Sequence, residues 1–144
     1  YINAAGEYAK RLSSCCRLET EEIAEFRVPQ KPSQADIDAA MKTEAVAIKG
    51  KLLKNSTVVA LCIEGTQTDS DGLARMLADL AAQGAGKLSF VIGGSYGLHP
   101  DIKDRADIRL SLSRLTFPHH LARIMLLEQL YRAHKILARE PYHY

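Results

Sequence analysis

Two loops in the second half of the chain carry the residue types that bind ligands in α/β proteins. The first follows the short apolar run Leu88–Ile92 and contains Gly93, Gly94 and Gly97. The second, SRLTFPH, follows a second short predicted strand, Ile108–Leu112, and carries two hydroxyl side chains. The carboxyl ends of parallel strands share one edge of a sheet, where such proteins bind their ligands. The sequence therefore predicts one site built from both loops.

The glycine loop does not match the common phosphate-binding patterns. A dinucleotide fingerprint needs a second glycine where Ser95 stands, and no Gly-Lys-Ser/Thr sequence marks a phosphate loop. An adenosyl ligand without phosphates fits better, because glycines allow close backbone approach. The residues available to wall an adenine slot are Leu61, Ile92, Leu112 and Leu115. An alternative stays open, in which the glycines form only a tight turn and the leucines belong to the core.

Composition favours an ordinary globular protein. The 144 residues predict a single domain over 1–144, with 47% hydrophobic and 25% charged residues. No apolar run is long enough to span a bilayer and no signal-peptide pattern occurs, so we expect no membrane partner and a cytoplasmic location. Three cysteines without a C-x-x-C pair predict neither disulfides nor a metal site. A net charge of +2 permits RNA binding without requiring it.

Hydrophobic periodicity predicts alternating helices and strands. A helix is expected over residues 1–14, an alternating strand-like run over Glu22–Val28, and a helix opened by a capping box of Ser33 and Asp36. The continuous apolar run Thr57–Ile63 predicts a strand buried on both faces and ended by Glu64 and Gly65. This alternation predicts an α/β fold with a mostly parallel sheet and helices on both faces.

The sequence predicts two further helices. Ser70 is a candidate cap for the first, and Gly84 suits its end. Thr116 is a candidate cap for the last helix, which has Pro118 in its first turn and runs to about Arg139. Its apolar residues cover more than one side, which predicts a central core helix, a dimer interface, or both.

The segments FVIGGSYGLHPD and LSLSRLTFPHHLARIMLLEQLYRA, with the terminal PYH, resemble the RlmH-type family of the SPOUT superfamily. These enzymes methylate N3 of a pseudouridine in 23S rRNA. The resemblance covers most of the chain, from EYAKRL near its start to the tail. It implies a C-terminal trefoil knot, which sequence patterning cannot show and which is rare among folds. It also implies S-adenosyl-L-methionine as cofactor, a homodimer, and the 23S rRNA or the ribosome as substrate.

The resemblance implies cofactor-binding residues at the same three strand ends. They are Leu61, Gly93, Leu112, Ser113, Arg114, Leu115, Thr116 and Phe117. The family has a strand and a glycine-containing turn before its first helix, so we expect a segment of that kind to precede the numbered chain. The family tail commonly ends with a basic residue, where Tyr144 stands here.

Methylation of an imide nitrogen benefits from a base or from a group that stabilises its anion. His143 together with Tyr142 in the tail is the first candidate for this catalytic role, which the resemblance favours, and His119 beside the cofactor loop is the second. Candidate substrate-binding residues are Arg114, His119 and Arg123. Glu64 either neutralises the cofactor sulfonium or lies in a solvated turn. The alternative function is a non-catalytic RNA- or ribosome-binding module with the same fold.

Overall fold

The computed structural model describes residues 1–142, which form five helices and three strands. His143 and Tyr144 lie outside the described residues. In chain order the elements are α1 (Ile2–Leu12), α2 (Gln34–Lys51), β1 (Thr57–Gln67), α3 (Ser70–Ala82), β2 (Leu88–Ile92), α4 (Pro100–Arg105), β3 (Ile108–Ser111) and α5 (His119–Leu137). Within residues 1–142, no helix combines the length and the apolar character that a bilayer crossing requires.

The three strands form a small parallel sheet with the order β2-β1-β3. Leu61 in the central strand pairs with Ile92 on one side and with Leu110 on the other. The parallel sheet confirms the pairing expected of strands connected by helices. Because all three strands point the same way, the loops that follow them leave from one edge, which we call the carboxyl edge.

Helices cover both faces of this sheet, as predicted. On one face, α1, α3 and α5 pack together around Leu12, Val59 and Leu127. On the other face, α2 and α4 pack against the sheet around Val58 and Ile102. Val58, Val59 and Ala60 are fully buried, which confirms that the start of β1 is covered on both sides.

The end of β1 differs from the prediction. The strand does not stop at Glu64 and Gly65 but continues to Gln67, and Leu110 pairs with both Leu61 and Thr66. Residues 62–65 therefore form a bulge in the central strand. A Cβ built on Gly65 would lie 2.7 Å from the carbonyl carbon of Leu110, so only glycine permits this close approach. Sequence spacing does not reveal such a contact between strands.

Helix ends follow local rules in part. The capping box of Ser33 and Asp36 is confirmed, with both reciprocal hydrogen bonds present. Gly84 ends α3 with a φ of +83°, also as predicted. The expected caps Ser70 and Thr116 are wrong. Asp69 caps α3, and Ser70 donates instead to Gln129 of α5. Pro118 precedes α5 as its cap residue, and no side chain caps that helix.

The strand-like run Glu22–Val28 is not a strand. None of its residues joins the three-stranded sheet. The Phe26 N–H donates to the Glu44 carboxylate at 3.4 Å, which replaces a ladder hydrogen bond to a neighbouring strand. Alternation of apolar and polar residues predicts a half-buried strand only where a partner strand is available, and none pairs with this run in the described part of the chain.

Candidate functional site

The glycine loop after β2 is a tight turn held by its own backbone. The Gly97 N–H donates to the Gly94 carbonyl at 3.0 Å, and Gly97 has a φ of +80°. A Cβ built on Gly93 would lie 2.6 Å from the Gly97 carbonyl carbon. Any side chain at Gly93 would therefore push the turn open. The glycines do form a tight turn, and this geometry does not exclude a ligand against the outer side of the turn.

The loop after β3, residues 112–118, which we call the serine loop, is organised by Ser113 and by Ser111 at the end of β3. The buried Ser111 donates its hydroxyl to the Ser113 carbonyl at 2.9 Å. The Leu115 N–H donates to the Ser113 hydroxyl at 3.0 Å. These bonds fold the loop so that Leu115 is 69% exposed although its side chain is apolar. Leu112, Ser113 and Phe117 are half-buried, and Arg114 and Thr116 are exposed.

The strand register brings two of these segments together directly. Leu61 pairs with Ile92, so Gly93 begins the glycine loop beside the centre of the sheet. Leu110, on the other side of Leu61, leads within two residues to the serine loop. All the expected cofactor-binding residues thus lie at the carboxyl edge or in the loops that leave it. The bulge of β1 lies between them and exposes Ile63, which sequence reasoning did not select.

The expected substrate-binding side chains have different surroundings. Arg114 is exposed on the serine loop. Arg123 in α5 pairs with Glu22, with 2.7 Å between Nη1 and Oε1. Its Nε is buried and finds no hydrogen-bond partner within residues 1–142. The His119 ring lies 4.0 Å from that of His120, between ring centroids. Arg123 therefore has one nitrogen engaged by a carboxylate, which would compete with a phosphate for that nitrogen.

The β1 bulge places a carboxylate and a thiol near the same edge. Glu64 forms an ion pair with Lys103 of α4, and this hydrogen bond lowers the pKa of the Glu64 carboxyl. The Lys103 ammonium thus already neutralises part of the Glu64 charge. This argues against the hypothesis that Glu64 neutralises the sulfonium of the cofactor. Burial raises the pKa of the Cys62 thiol, which keeps it protonated and agrees with an inert cysteine.

The tail residue Tyr142 docks on the second half of α5. Its hydroxyl donates to Glu128 at 3.2 Å, and the Arg132 guanidinium lies 4.8 Å from the centre of its ring. Glu128 also accepts from Arg132 Nε at 3.0 Å, and Tyr131 contacts the Tyr142 ring edge to face. Burial, followed by the Glu128 charge, raises the pKa of Tyr142, so the phenol stays protonated and able to donate. Sequence reasoning considered Arg132 only as a possible phosphate contact and missed Glu128, although their helical spacing of four residues predicts an ion pair.

Two surface depressions share no lining residue with the glycine loop or the serine loop. One of about 520 Å³ is lined by Tyr1, Ile2, Asn3 and His120. The other, of about 640 Å³, lies at the opposite edge of the sheet and includes Ser56, Gly84 and Asp107 in its lining. Neither is lined by a residue of the glycine loop or the serine loop. The candidate site is therefore defined by strand ends and loops and not by either depression.

The chain is similar to known proteins over nearly its whole length. A family model described as a predicted SPOUT methyltransferase matches residues 1–143. The chain is 45% identical over 137 residues to the ribosomal RNA large subunit methyltransferase H of Clostridioides difficile, covering 95% of this chain and 86% of that protein. It is 40% identical over 141 residues to a protein of Methanococcus maripaludis named putative ribosomal RNA large subunit methyltransferase H, covering 98% and 89%.

The Exiguobacterium protein named ribosomal RNA large subunit methyltransferase H is 42% identical over 137 residues, with 95% of this chain and 86% of that protein covered. A match over nearly the whole chain, at these identities, includes both loops of the carboxyl edge. The resemblance drawn from the two loop motifs is thereby confirmed. The chain belongs to the SPOUT methyltransferase family.

Proposed function

We propose that this protein is an S-adenosyl-L-methionine-dependent methyltransferase that acts on N3 of a pseudouridine in 23S rRNA, within the assembled ribosome. The observation that carries the proposal is the arrangement of Leu61, the glycine loop and the serine loop at one edge of a parallel sheet. Family membership and the names of the relatives support the reaction and the class of substrate.

The residues of this edge suit an adenosyl ligand. Leu115, Ile63 and Tyr96 are apolar or aromatic and expose 69%, 46% and 47% of their surface. Such side chains gain stability when a flat apolar group covers them. The proposed cofactor contacts are those implied by the family, from Leu61 and Gly93 to the loop 112–117. When bound there, the cofactor supplies an electrophilic methyl group.

The chain itself contributes positioning and charge. Methyl transfer forms a nitrogen–carbon bond as the carbon–sulfur bond breaks, so the ring nitrogen must lie in line with that bond. Arg114 is exposed on the serine loop, where it can bind an RNA phosphate. Arg123 and His119 lie at the start of α5, directly after this loop, and complete the proposed substrate contacts.

The tail supplies the proposed catalytic group. Tyr142 is anchored by Glu128 and Arg132, which fixes the chain one residue before His143. We propose that His143 assists removal of the imide proton and that Tyr142 positions it. The anchor lies in the second half of α5, whereas the serine loop precedes the first turn of that helix. Because a helix rises about 1.5 Å per residue, the tail lies well away from the serine loop of its own chain. We therefore propose that the tail acts at the site of a second copy of the chain.

A homodimer and a C-terminal trefoil knot belong to the same proposal. The exposed apolar side chains at the carboxyl edge support an interface, because a second subunit would cover them. A cytoplasmic location follows from a ribosomal substrate. Light scattering after size-exclusion chromatography measures the mass in solution, and a value near 16 kDa, the 15.9 kDa of one chain, would contradict the dimer.

Methyl transfer from radiolabelled S-adenosyl-L-methionine to ribosomes and to free 23S rRNA tests the function. The expected result is label in ribosomes, with 3-methylpseudouridine identified by mass spectrometry after digestion. Ribosome binding without incorporation would instead support the non-catalytic module. Label in a different nucleoside would retain the methyltransferase and overturn the proposed position.

A further inference from the structure

The connection between α1 and α2 links the two faces of the sheet and contains no helix or strand over residues 18–28. We call residues 18–28 the strap. α1 packs with α5 on one face, and α2 packs with α4 on the other, so the strap must pass around the sheet. Along this path its acidic side chains contact α5 and the glycine loop.

The first contact ties the strap to α5. Glu22 accepts from Arg123 at 2.7 Å between Oε1 and Nη1. Arg123 is the fifth residue of α5, which directly follows the serine loop. The buried Nε of the same guanidinium has no hydrogen-bond partner within residues 1–142. Glu22 therefore holds Arg123 through one nitrogen only, and the pair is open to rearrangement.

The second contact ties the strap to the glycine loop. The Ser95 hydroxyl donates to Glu25 Oε1 at 2.9 Å. The Phe26 N–H donates to Glu44 Oε1 at 3.4 Å. A Cβ built on Gly94 would lie 3.6 Å from one oxygen of Glu44 and 3.8 Å from Glu25 Oε1. Carboxylates from the strap and from α2 thus lie against the turn on the same side.

We propose that the strap positions the glycine loop relative to the serine loop and that cofactor affinity depends on it. This inference rests on the proposed function. The backbone bond from Gly97 to Gly94 fixes the shape of the turn itself, and the Ser95 hydroxyl bond to Glu25 ties that turn to the strap. The polar contacts between the strap and its neighbours are exposed and individually weak, so they can break without unfolding of the domain.

Thermodynamic linkage gives the inference a second consequence. If the closed strap favours cofactor binding, bound cofactor must favour the closed strap by the same factor. The strap contains a trypsin site after Arg27, one residue from Phe26. S-adenosyl-L-methionine is therefore expected to slow cleavage of the Arg27–Val28 bond in the wild-type chain.

Calorimetric titration with S-adenosyl-L-methionine tests the affinity. Glu25→Ala and Ser95→Ala should each raise Kd about threefold, the effect of losing one exposed charged hydrogen bond. The double variant should bind no more weakly than either single one, because both remove the same contact. Glu25→Gln should restore affinity, since its amide oxygen still accepts from Ser95. Glu19→Ala is the matched control, because Glu19 pairs with Arg17 at 3.0 Å.

The outcomes separate the two proposals. Wild-type binding with an unchanged Kd for folded Glu25→Ala would overturn the role of the strap alone. If Glu25→Ala does not fold, the wild-type protease experiment decides, and equal cleavage with and without cofactor would overturn it. No binding by the wild-type chain would overturn the proposed function together with this inference.

Discussion

The two ends of the parallel strands differ in what surrounds them. We call the edge formed by their amino ends the amino edge. At the amino edge, polar groups of the protein bond to one another. The Val58 N–H donates to Asp107 Oδ2 at 2.8 Å, and the Asp107 N–H donates to the Val58 carbonyl at 2.9 Å. The hydroxyls of Ser56 and Ser89 lie 2.8 Å apart, and Ser89 also accepts from the Leu53 N–H.

At the carboxyl edge, by contrast, backbones approach closely and apolar side chains stay exposed. Gly65 and Gly93 each lie against a neighbouring backbone, with built Cβ distances of 2.7 and 2.6 Å. Ile63, Tyr96 and Leu115 expose their apolar surface nearby. One edge is thus closed by internal hydrogen bonds, which stabilise the fold, and the other presents a surface that a ligand or a second subunit can cover.

The largest expected effect is at Gly65. Gly65→Val would place carbon atoms inside the backbone of β3, so the strands must separate. Overpacking of this kind costs about 3 kcal/mol in the free energy of unfolding. Urea unfolding followed by circular dichroism measures it. Gly86→Val is the matched control, because a Cβ there meets no atom within 4 Å. Equal stability of the two variants would contradict the close approach.

The next effect isolates the amino edge. Asp107→Ala leaves the N–H of fully buried Val58 without its acceptor, which lowers the free energy of unfolding by about 1–2 kcal/mol. The Kd for S-adenosyl-L-methionine should stay unchanged, because this edge lies opposite the proposed site. Asp104→Ala, which removes only a surface ion pair with Arg109, serves as control. A loss of cofactor affinity in Asp107→Ala would contradict the claim that only the carboxyl edge takes part in cofactor binding.

A smaller effect tests the docking of the tail. Tyr142→Phe keeps the ring contacts and loses the hydrogen bond to Glu128. We expect methyl transfer to ribosomes to fall about fivefold, the equivalent of one hydrogen bond, with cofactor Kd and thermal midpoint unchanged. Tyr131→Phe, which keeps the edge-to-face contact, is the control. An unchanged turnover would remove Tyr142 from the catalytic proposal.

The smallest effect concerns the bulge of β1. Lys103 lowers the pKa of Glu64 below 4.5, so this pair contributes stability above pH 4.5 and loses it as pH falls through the folded-state pKa. Solvent screens the pair, so its contribution is at most about 0.5 kcal/mol at pH 7. Glu64→Gln should be slightly less stable than wild type at pH 7, and the difference should shrink as pH falls through the folded-state pKa of Glu64. A difference that grows in acid would show that the pair is not the cause.

Local signals predicted much of the fold. The bounds of β2, Leu88–Ile92, follow from an apolar run and its glycines, and the capping box at Ser33 follows from side chains three residues apart. The prediction of a strand over Glu22–Val28 was wrong because a strand forms only where a partner strand is available. The predicted end of β1 at Glu64 and Gly65 was wrong for a related reason, since the extension to Gln67 depends on a contact between Gly65 and another strand.

The site was predictable in its loops and less so in its contacts. The glycine and serine loops are recognisable from their amino-acid composition, and parallel strands place them at one edge. The ion pair of Glu22 and Arg123 joins residues 101 positions apart, so spacing carries no information about it. The hydrogen bond from Ser95 to Glu25 spans 70 positions and was equally hidden.

Amide hydrogen exchange with and without S-adenosyl-L-methionine compares both edges in one measurement. The account predicts slower exchange, on cofactor binding, in peptides covering residues 93–97 and 112–117. Peptides covering residues 53–57 and 83–86, at the amino edge, should exchange unchanged. Protection confined to the amino edge, or no protection at either edge at saturating cofactor, would contradict the claim that the carboxyl edge binds the cofactor.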